Sequence, residues 1–195
     1  MAARRMSPEE RRDQLERVAM AVVAEQGPSE LSLDELAARA GVTRNLLYHY
    51  FPRGRPDLFL AAVDRSGREL SEGWVTDAEL PLAERLARNF ARAIDHAAGP
   101  SDAWLVMRHS RVATDPEVRA TADRHRAHVL EGMALNHFGT EHPPPLAALA
   151  LRAFLAYAEQ ALDDWREEGL DRDAVVAVLA ETLRATAEAA RAASD

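Results

Sequence analysis

The stretch from Leu33 to Phe51, LDELAARAGVTRNLLYHYF, constrains the fold more than any other part of this sequence. Ser32 followed by Glu35 is an S-x-x-E capping box, which predicts a helix that begins directly after Ser32. Gly41 comes just after the last apolar residue at helical spacing, where a left-handed backbone conformation ends a helix. Thr43 is a favourable N-cap for a second helix that continues to about the end of the stretch. The pattern predicts two short helices joined by a glycine turn.

The second predicted helix has two faces of different chemistry. Apolar and aromatic side chains share the face that is expected to pack inward: Leu46, Leu47, Tyr50 and Phe51. The opposite face carries a guanidinium, an amide, a phenol and an imidazole, from Arg44, Asn45, Tyr48 and His49. Arginine can hydrogen-bond guanine bidentately, and asparagine can do the same with adenine. These residues favour a recognition helix in the major groove of double-stranded DNA, although a polar face is also typical of a helix that only faces solvent.

These residues also resemble the DNA-binding signature of a known family. The run AARAGVT at residues 37–43, followed by LYHYF at residues 47–51, is similar to the signature of the tetracycline-repressor (TetR) family. The resemblance is at the level of motifs over about residues 8–65 and of architecture beyond them. It implies a ligand-responsive transcriptional regulator, most often a repressor, which binds a palindromic operator as a homodimer and is released by a small molecule.

The resemblance also implies roles for individual residues. Tyr48 and Thr43 match family positions that contact phosphate, whereas Arg44, Asn45 and His49 match positions that approach base edges. Ser32, the N-cap of the first of the two helices, completes the DNA-facing set within the two-helix unit.

The sequence departs from the family pattern directly after the second helix. The family usually has Phe-x-x-Lys-x-x-Leu at this point, and its lysine contacts a phosphate at a helix start. This chain has FPRGRPDL at residues 51–58, which is one residue longer and contains no lysine. Either Arg53 or Arg55 can take over the phosphate contact, and both belong to the expected DNA-binding set.

Charge is distributed unevenly along the 195 residues. The net charge is −8, but residues 1–56 hold nine arginines and eight acids while the remainder holds fifteen arginines and twenty-four acids. This distribution suits a protein that touches DNA at one end only.

Residues 1–6 are expected to form a mobile arm, either without structure or close to the DNA backbone. Without cysteine, a disulfide framework, a thiolate metal site and a cysteine nucleophile are excluded.

Helical periodicity and helix-start signals predict an all-α chain of about nine helices. A three-helix DNA-binding domain is expected at residues 1–55, and a larger helical ligand-binding and dimerisation domain at residues 56–195. Helix starts are predicted after Ser7, at Pro56, after Pro81, at Ser101 or Asp102, at Pro116, at Pro145 and after Asp171. The helix from Pro56 is expected to reach about Trp74, the helix from Pro116 about Phe138, and residues 185–195 are expected to fray. No membrane span or signal peptide is recognisable, so a cytoplasmic protein is expected.

The last two predicted helices are candidates for a homodimer interface. Residues 146–162 are almost continuously apolar or alanine, which predicts burial on more than one side. In placement, the two helices resemble the pair through which the TetR family forms a four-helix bundle. A larger monomeric core is the alternative explanation.

Aromatic and methionine side chains of the larger domain are candidates for the lining of an effector pocket. The expected set is Trp74, Phe90, Trp104, Met107, Met133, Phe154 and Tyr157, with Phe138 and Trp165 as further aromatics. Residues of these types line small-molecule sites in helical bundles, but they also fill cores. Glu159, Arg108 and His109 can supply polar contacts. We expect an apolar or aromatic effector and no cofactor.

The sequence gives weaker support to other functions, namely metal binding, catalysis and protein–protein interaction. His125 and His128 are spaced to share a helix face and to bind a metal, but the run DRHRAH suits a solvated face equally well. No catalytic motif is recognisable, so we expect neither a metal site nor an enzyme. The alternatives are a helical enzyme or carrier that uses the aromatic residues as its active site, and an adaptor that uses residues 146–162 as an interface.

Overall fold

The computed structural model describes residues 6–98 and 103–194, and within these ranges helices are the only regular secondary structure. The described residues form a short 3-10 helix, Pro28–Glu30, and nine α-helices. The α-helices are α1 (Pro8–Gln26), α2 (Leu33–Ala40), α3 (Arg44–Tyr50), α4 (Arg55–Ser71), α5 (Leu82–Ala98), α6 (Ala103–Ser110), α7 (Pro116–Phe138), α8 (Pro145–Glu168) and α9 (Arg172–Ala192). The expected all-α fold is confirmed. The predicted N-terminal arm, apart from Met6, and the predicted start of α6 at Ser101 or Asp102 lie outside the described residues.

Local capping signals explain why most helices begin where they do. Ser7 Oγ accepts a hydrogen bond from the Glu10 amide at 3.1 Å, and Glu10 Oε2 accepts one from the Ser7 amide at 2.7 Å. This reciprocal pair satisfies two amides that would otherwise lack partners at the start of α1. Asp171 Oδ1 accepts from the Ala174 amide at 2.8 Å at the start of α9. These starts agree with the sequence prediction.

Two predicted helix ends are wrong. Helix α4 ends at Ser71 rather than near Trp74, because Gly73 adopts a positive φ of 78°. The Val75 amide then donates to Asn89 Oδ1 at 2.7 Å instead of continuing the helix. At the other end of the chain, α9 continues to Ala192 instead of fraying from residue 185.

The C-terminal turn of α9 is held by contacts with α7. The Arg191 guanidinium lies 5.4 Å from the centroid of the Phe138 ring and donates a hydrogen bond to the carbonyl oxygen of His137. Ala187 and Ala190 are buried on the same helix. Tertiary contacts of this kind outweigh the tendency of a helix end to fray.

The described residues form two compact units, and the first comprises residues 6–70 and 103–124. Its core is built from fully buried aliphatic side chains of α1, joined by Leu36 of α2, Leu47 of α3, Leu58 of α4 and Val106 of α6. The compact unit is larger than the three predicted DNA-binding helices, because α4, α6 and the first half of α7 contribute to the same core. The functional boundary after residue 55 stays a prediction.

The second unit comprises residues 71–98 and 125–194. Helices α8 and α9 pack along each other, and α5 packs against both. The buried side chains repeat at helical spacing: Leu86, Phe90 and Ile94 on α5, Leu151, Phe154 and Leu162 on α8, and Leu179 and Leu183 on α9. None of the helices in the described ranges has the length and hydropathy that a membrane crossing requires.

Candidate nucleic-acid interface

Helices α2 and α3 are joined by the turn that the glycine pattern predicts. Gly41 has φ 65° and ψ 37°, and this left-handed conformation lets its amide reach the carbonyl oxygen of Ala38 at 3.2 Å. The Val42 amide then donates to the Ala37 carbonyl oxygen at 2.9 Å. Such an ending closes one helix and changes the chain direction before the next begins. Because of this turn, α3 begins only four residues after the last residue of α2.

Serine and threonine side chains cap both helices of this unit. Ser32 Oγ accepts from the Glu35 amide at 3.4 Å, and Thr43 Oγ1 accepts from the Leu46 amide at 3.3 Å. The predicted capping box on α2 is only half formed, because the Glu35 carboxylate accepts from Gln26 Nε2 at 3.0 Å and pairs with Arg39. Ser32 and Thr43 therefore have a structural role that exists without DNA.

The two faces of α3 are arranged as the sequence predicts. Leu47 and Phe51 are buried in the core of the unit, and Leu46 and Tyr50 are half-buried. The four polar side chains Arg44, Asn45, Tyr48 and His49 are all exposed. A helix of seven residues thus presents four groups that can hydrogen-bond to nucleic acid, on the side opposite its anchor.

Arg44 contacts two groups on the exposed surface. Its Nη1 donates to Asp34 Oδ1 at 3.1 Å and to Asp34 Oδ2 at 3.2 Å. Its Cζ lies 5.9 Å from the centroid of the Tyr48 ring. A hydrogen bond with the Tyr48 side chain, followed by the charge of Asp34, raises the pKa of Arg44. No local sequence pattern points to Asp34, because the contact depends on how α2 packs against α3.

The turn after α3 is fixed by two arginines. Arg12 Nη1 donates to the Tyr50 carbonyl oxygen at 3.5 Å, and its guanidinium lies 5.1 Å from the centroid of the Phe51 ring. Arg53 donates from its amide to Asp57 at 2.8 Å and from Nε to Asp57 Oδ1 at 2.5 Å. Its Nη2 also lies 2.9 Å from Glu117 Oε2 on α7.

Arg55 differs from Arg53 in its surroundings. It is the first residue of α4, its side chain is exposed, and within the described residues it forms no ion pair. The hydrogen bonds with Asp57 and then Glu117 raise the pKa of Arg53, which reflects how fully this guanidinium is engaged. Of the two arginines, only Arg53 is thus engaged by carboxylates within the described residues.

Four of the aromatic side chains expected at an effector site form a row in the second unit. Ring centroids lie 6.2 Å apart for Trp74 and Phe90, 5.8 Å for Phe90 and Phe154, and 6.0 Å for Phe154 and Tyr157. The row begins in the segment after α4 and ends at Tyr157, which is 43% exposed on α8. Met133 of α7 is buried in the same unit.

Trp104 and Met107 belong to the first unit and not to the aromatic row. Both lie on α6, where Trp104 is buried and Met107 packs against the core that α1 dominates. Arg108 and His109 follow them on the same helix. Burial, followed by the charge of Arg108, lowers the pKa of His109. The expected effector set is therefore divided between the two compact units, and its shared role stays a prediction.

The remaining candidates of the second unit have identifiable contacts. Glu159 is buried and accepts from Arg126 Nη2 at 2.8 Å, and Trp165 Nε1 donates to the Leu170 carbonyl oxygen at 2.9 Å. His125 Nδ1 lies 3.4 Å from Ser71 Oγ, and His128 Nδ1 lies 3.5 Å from Glu131 Oε2. Among the described residues no group of three or more histidine or acidic side chains is arranged to hold a metal ion.

Comparison with known proteins agrees with this geometry. The family model described as bacterial regulatory proteins, tetR family, matches residues 17–62, from the middle of α1 into α4. The chain is also 29% identical to a tetR-family transcriptional regulator from Streptomyces coelicolor, with a TM-score of 0.84 over 97% of this chain and 85% of that one. Residues 17–62 thus match the tetR family model, and the chain shares its fold with a tetR-family transcriptional regulator.

Further TetR-like structures share the fold at lower identity. A TetR-like transcriptional regulator from Rhodococcus sp. RHA1 is 23% identical, with a TM-score of 0.66 over 92% of this chain and 96% of that one. FadR from Bacillus subtilis, in complex with stearoyl-CoA, is 17% identical, with a TM-score of 0.68 over 89% of this chain and 98% of that one. A comparison with curated proteins found no match. The solved structures from Streptomyces coelicolor and Rhodococcus sp. RHA1 are of transcriptional regulators, which agrees with the expectation that the chain is not an enzyme.

Proposed function

We propose that this protein is a TetR-family transcriptional regulator that binds an inverted-repeat operator as a homodimer and releases it when a small apolar or aromatic molecule binds. Repression is the expected mode of regulation. Helix α3 enters the major groove, with Arg44, Asn45 and His49 facing base edges. Thr43 and Tyr48 contact phosphates, and Ser32 and Arg55 approach the DNA backbone.

The exposed polar face of α3 is the observation that carries this proposal. Four groups able to hydrogen-bond to DNA share one side of a short helix whose other side is anchored by Leu47 and Phe51. Recognition helices require this division, because the groove-facing side chains must be held in place by a buried opposite face. A merely solvated helix has no need for bidentate donors at its first two positions, which here are Arg44 and Asn45.

An exposed apolar stripe on α8 supports the homodimer. Leu146, Leu149 and Tyr157 are 42%, 56% and 43% exposed, and Ala153 and Ala156 are exposed between them. On an α-helix these positions fall on one side. Val178, at 52% exposure, adds an aliphatic side chain from α9. Burying such a stripe against its symmetric copy removes apolar surface from water and brings two recognition helices into one dimer, as an inverted-repeat operator requires.

The aromatic row of the second unit supports an apolar or aromatic effector. Trp74, Phe90 and Phe154 pack edge to face with one another and are aromatic side chains of the kind that helical sites for small molecules commonly use. FadR from Bacillus subtilis, which shares the fold, was solved with stearoyl-CoA, so that protein binds a ligand with a long apolar chain. Trp104 and Met107 are included in the proposed effector set on sequence grounds.

Selection of bound duplexes from a randomised DNA library at physiological salt tests the DNA-binding part. We expect an enriched inverted repeat with two half-sites separated by about one helical turn, roughly 34 Å. Salt-sensitive binding without an enriched sequence would contradict the proposal. A panel of apolar and aromatic compounds is then screened for release of the selected duplex, and release by none of them would refute the effector-controlled part.

A further inference from the structure

We infer that Asp34, at the start of α2, is a specificity-determining residue that positions Arg44 for base reading and keeps it away from phosphates. The inference rests on the proposed function, since it concerns how α3 discriminates between DNA sequences. It means that α2, and not only α3, contributes to the DNA sequence preference of the protein.

The geometry places one carboxylate against the first residue of the recognition helix. Both oxygens of Asp34 lie within 3.2 Å of Arg44 Nη1, and Arg44 Cζ lies 5.9 Å from the centroid of the Tyr48 ring. Arg44 therefore has a defined position before DNA is present. Asp34 accepts from Nη1 only, so the rest of the guanidinium is left for the Tyr48 side chain and for O6 and N7 of a guanine.

Exposure makes this contact replaceable rather than structural. The side chains of Arg44 and Asp34 are 52% and 76% exposed, and exposed ion pairs contribute little to folding stability. Asp34 has no role in the core, because the buried residues of α2 are Leu33, Leu36, Ala37 and Ala40. Its charge also interacts favourably with the helix N-terminus, but Glu35 supplies a second acid in the same turn.

The carboxylate changes what Arg44 can bind. A free arginine at the protein surface is attracted to any phosphate, which increases sequence-independent binding. Beside Asp34, the guanidinium is partly neutralised, and an approaching phosphate is repelled by the carboxylate. A guanine edge carries acceptors without a full negative charge, so it is repelled less and can share Arg44 with Asp34. The Asp34–Arg44 ion pair thus favours contacts of Arg44 with bases over contacts with phosphates. The specificity comes in part from the repulsion between the Asp34 carboxylate and a phosphate.

The test compares Asp34→Asn with Glu30→Gln in the full-length protein. Glu30 is exposed in the 3-10 helix that precedes α2, and within the described residues it forms no ion pair, so its substitution removes the same charge without touching Arg44. Each variant and the wild type are subjected to selection from the same randomised library. Affinity for the selected duplex and for a scrambled duplex is then measured across a salt series.

We expect Asp34→Asn to lower the preference at one base position per half-site by about fivefold or more, the lower end of what a bidentate arginine–guanine contact provides. Binding to the scrambled duplex should strengthen, and the slope of log K against log salt should steepen by about 0.9 for each guanidinium that gains a phosphate. Asp34→Glu should retain the wild-type base preference. In the Arg44→Ala background, Asp34→Asn should change the base preference no further.

The outcomes separate this inference from the proposed function. If the wild type enriches an operator and Asp34→Asn has the same base preference and salt slope, the inference is overturned while the proposed function stands. An equal effect of Glu30→Gln also overturns the inference, because the effect then belongs to net charge. If the wild type enriches no sequence, the proposed function fails and the inference fails with it. Thermal unfolding of both variants shows whether a change in binding has a folding cause.

Discussion

Arg44, Asn45, Tyr48 and His49 share one exposed face of α3 but differ in what each contributes to DNA binding. A guanidinium and an amide can pair bidentately with particular bases, whereas a phenol hydroxyl suits a phosphate oxygen. The Tyr48 ring also flanks the Arg44 guanidinium, so it supports a neighbouring side chain as well. At the scale of residues, base reading and phosphate contact can therefore be separated by substitution.

Substitution of Arg44 or Asn45 by alanine should reduce operator affinity by about 1–3 kcal/mol and relax specificity at one base position. Tyr48→Phe keeps the ring beside Arg44 but removes the hydroxyl, which we propose contacts phosphate and which also hydrogen-bonds Arg44. It should weaken binding to all sequences and change the base preference less than Arg44→Ala does. Fluorescence anisotropy with the selected operator and its single-base variants measures both effects. Unchanged affinity and base preference in Arg44→Ala would remove α3 from its proposed role.

Arg55→Ala should weaken DNA binding uniformly and reduce the salt slope by about 0.9 per site, because we propose that Arg55 contacts a phosphate. Arg53→Ala should leave the salt slope nearly unchanged, since its guanidinium already pairs with Asp57 and Glu117. The two variants remove the same charge only two positions apart and serve as controls for each other. A reduced slope in Arg53→Ala alone would assign the phosphate contact to Arg53.

At the scale of elements, α8 has a buried side and an exposed apolar side. Leu151 and Phe154 face the core of the second unit, while Leu149 faces solvent in the single chain. Helix α8 therefore packs against α9 on one side and leaves a second apolar side without a partner among the described residues. That arrangement is typical of helices that join protomers in a bundle.

Leu149→Glu should shift the proposed homodimer towards monomers, because each protomer then brings a carboxylate into an apolar interface. Val112→Glu is the matched control: Val112 is 82% exposed in the segment between α6 and α7 and belongs to the other compact unit. Sedimentation velocity at several concentrations should show a lower mass only for Leu149→Glu. If both variants sediment like the wild type, the exposed side of α8 is not the dimer interface.

At the scale of the whole molecule, stability depends on buried polar groups as well as on the two cores. His137 is 7% exposed at the end of α7. Burial first, and then the positive charges of Arg191 and Arg85, lower the pKa of His137 to about 4, although Glu188 opposes this. The described residues give its Nε2 no hydrogen-bond partner. The folded protein therefore keeps this imidazole neutral.

This depressed pKa predicts a loss of stability in acid. Above pH 6.5 the imidazole is neutral in both states and has no effect. Between pH 6.5 and about 4 the unfolded chain binds a proton that the folded protein does not, so the free energy of unfolding falls as the pH falls. The difference corresponds to about 3 kcal/mol, at about 1.4 kcal/mol per pH unit.

Urea denaturation from pH 7 to pH 4 tests this prediction in the wild type and in His137→Gln. The variant should lose less stability over this range, whereas the control His142→Gln, at an exposed position, should behave like the wild type. His109, whose pKa burial also lowers, is present in all three proteins, so the comparison isolates His137. Equal pH dependence in all three would contradict the assignment.

Much of the fold and of the DNA-facing surface follows from the sequence alone. Ser7, Ser32, Thr43 and Asp171 mark helix starts because a cap acts on an amide three residues away, so the signal and its consequence are neighbours in the chain. The left-handed turn at Gly41 follows from the conformational freedom of glycine. Helical periodicity separates the exposed and buried faces of α3 in the same local way.

Tertiary structure decided the features that depend on distant residues. The pairing of Arg53 with Glu117 distinguishes it from Arg55, and no local pattern contains that information. Helix α4 stops early because Asn89 binds the Val75 amide, and α9 extends because Arg191 contacts Phe138. Capping and periodicity operate within one or two helical turns. The pairing of Arg44 with Asp34 instead requires two helices to be packed in one particular way.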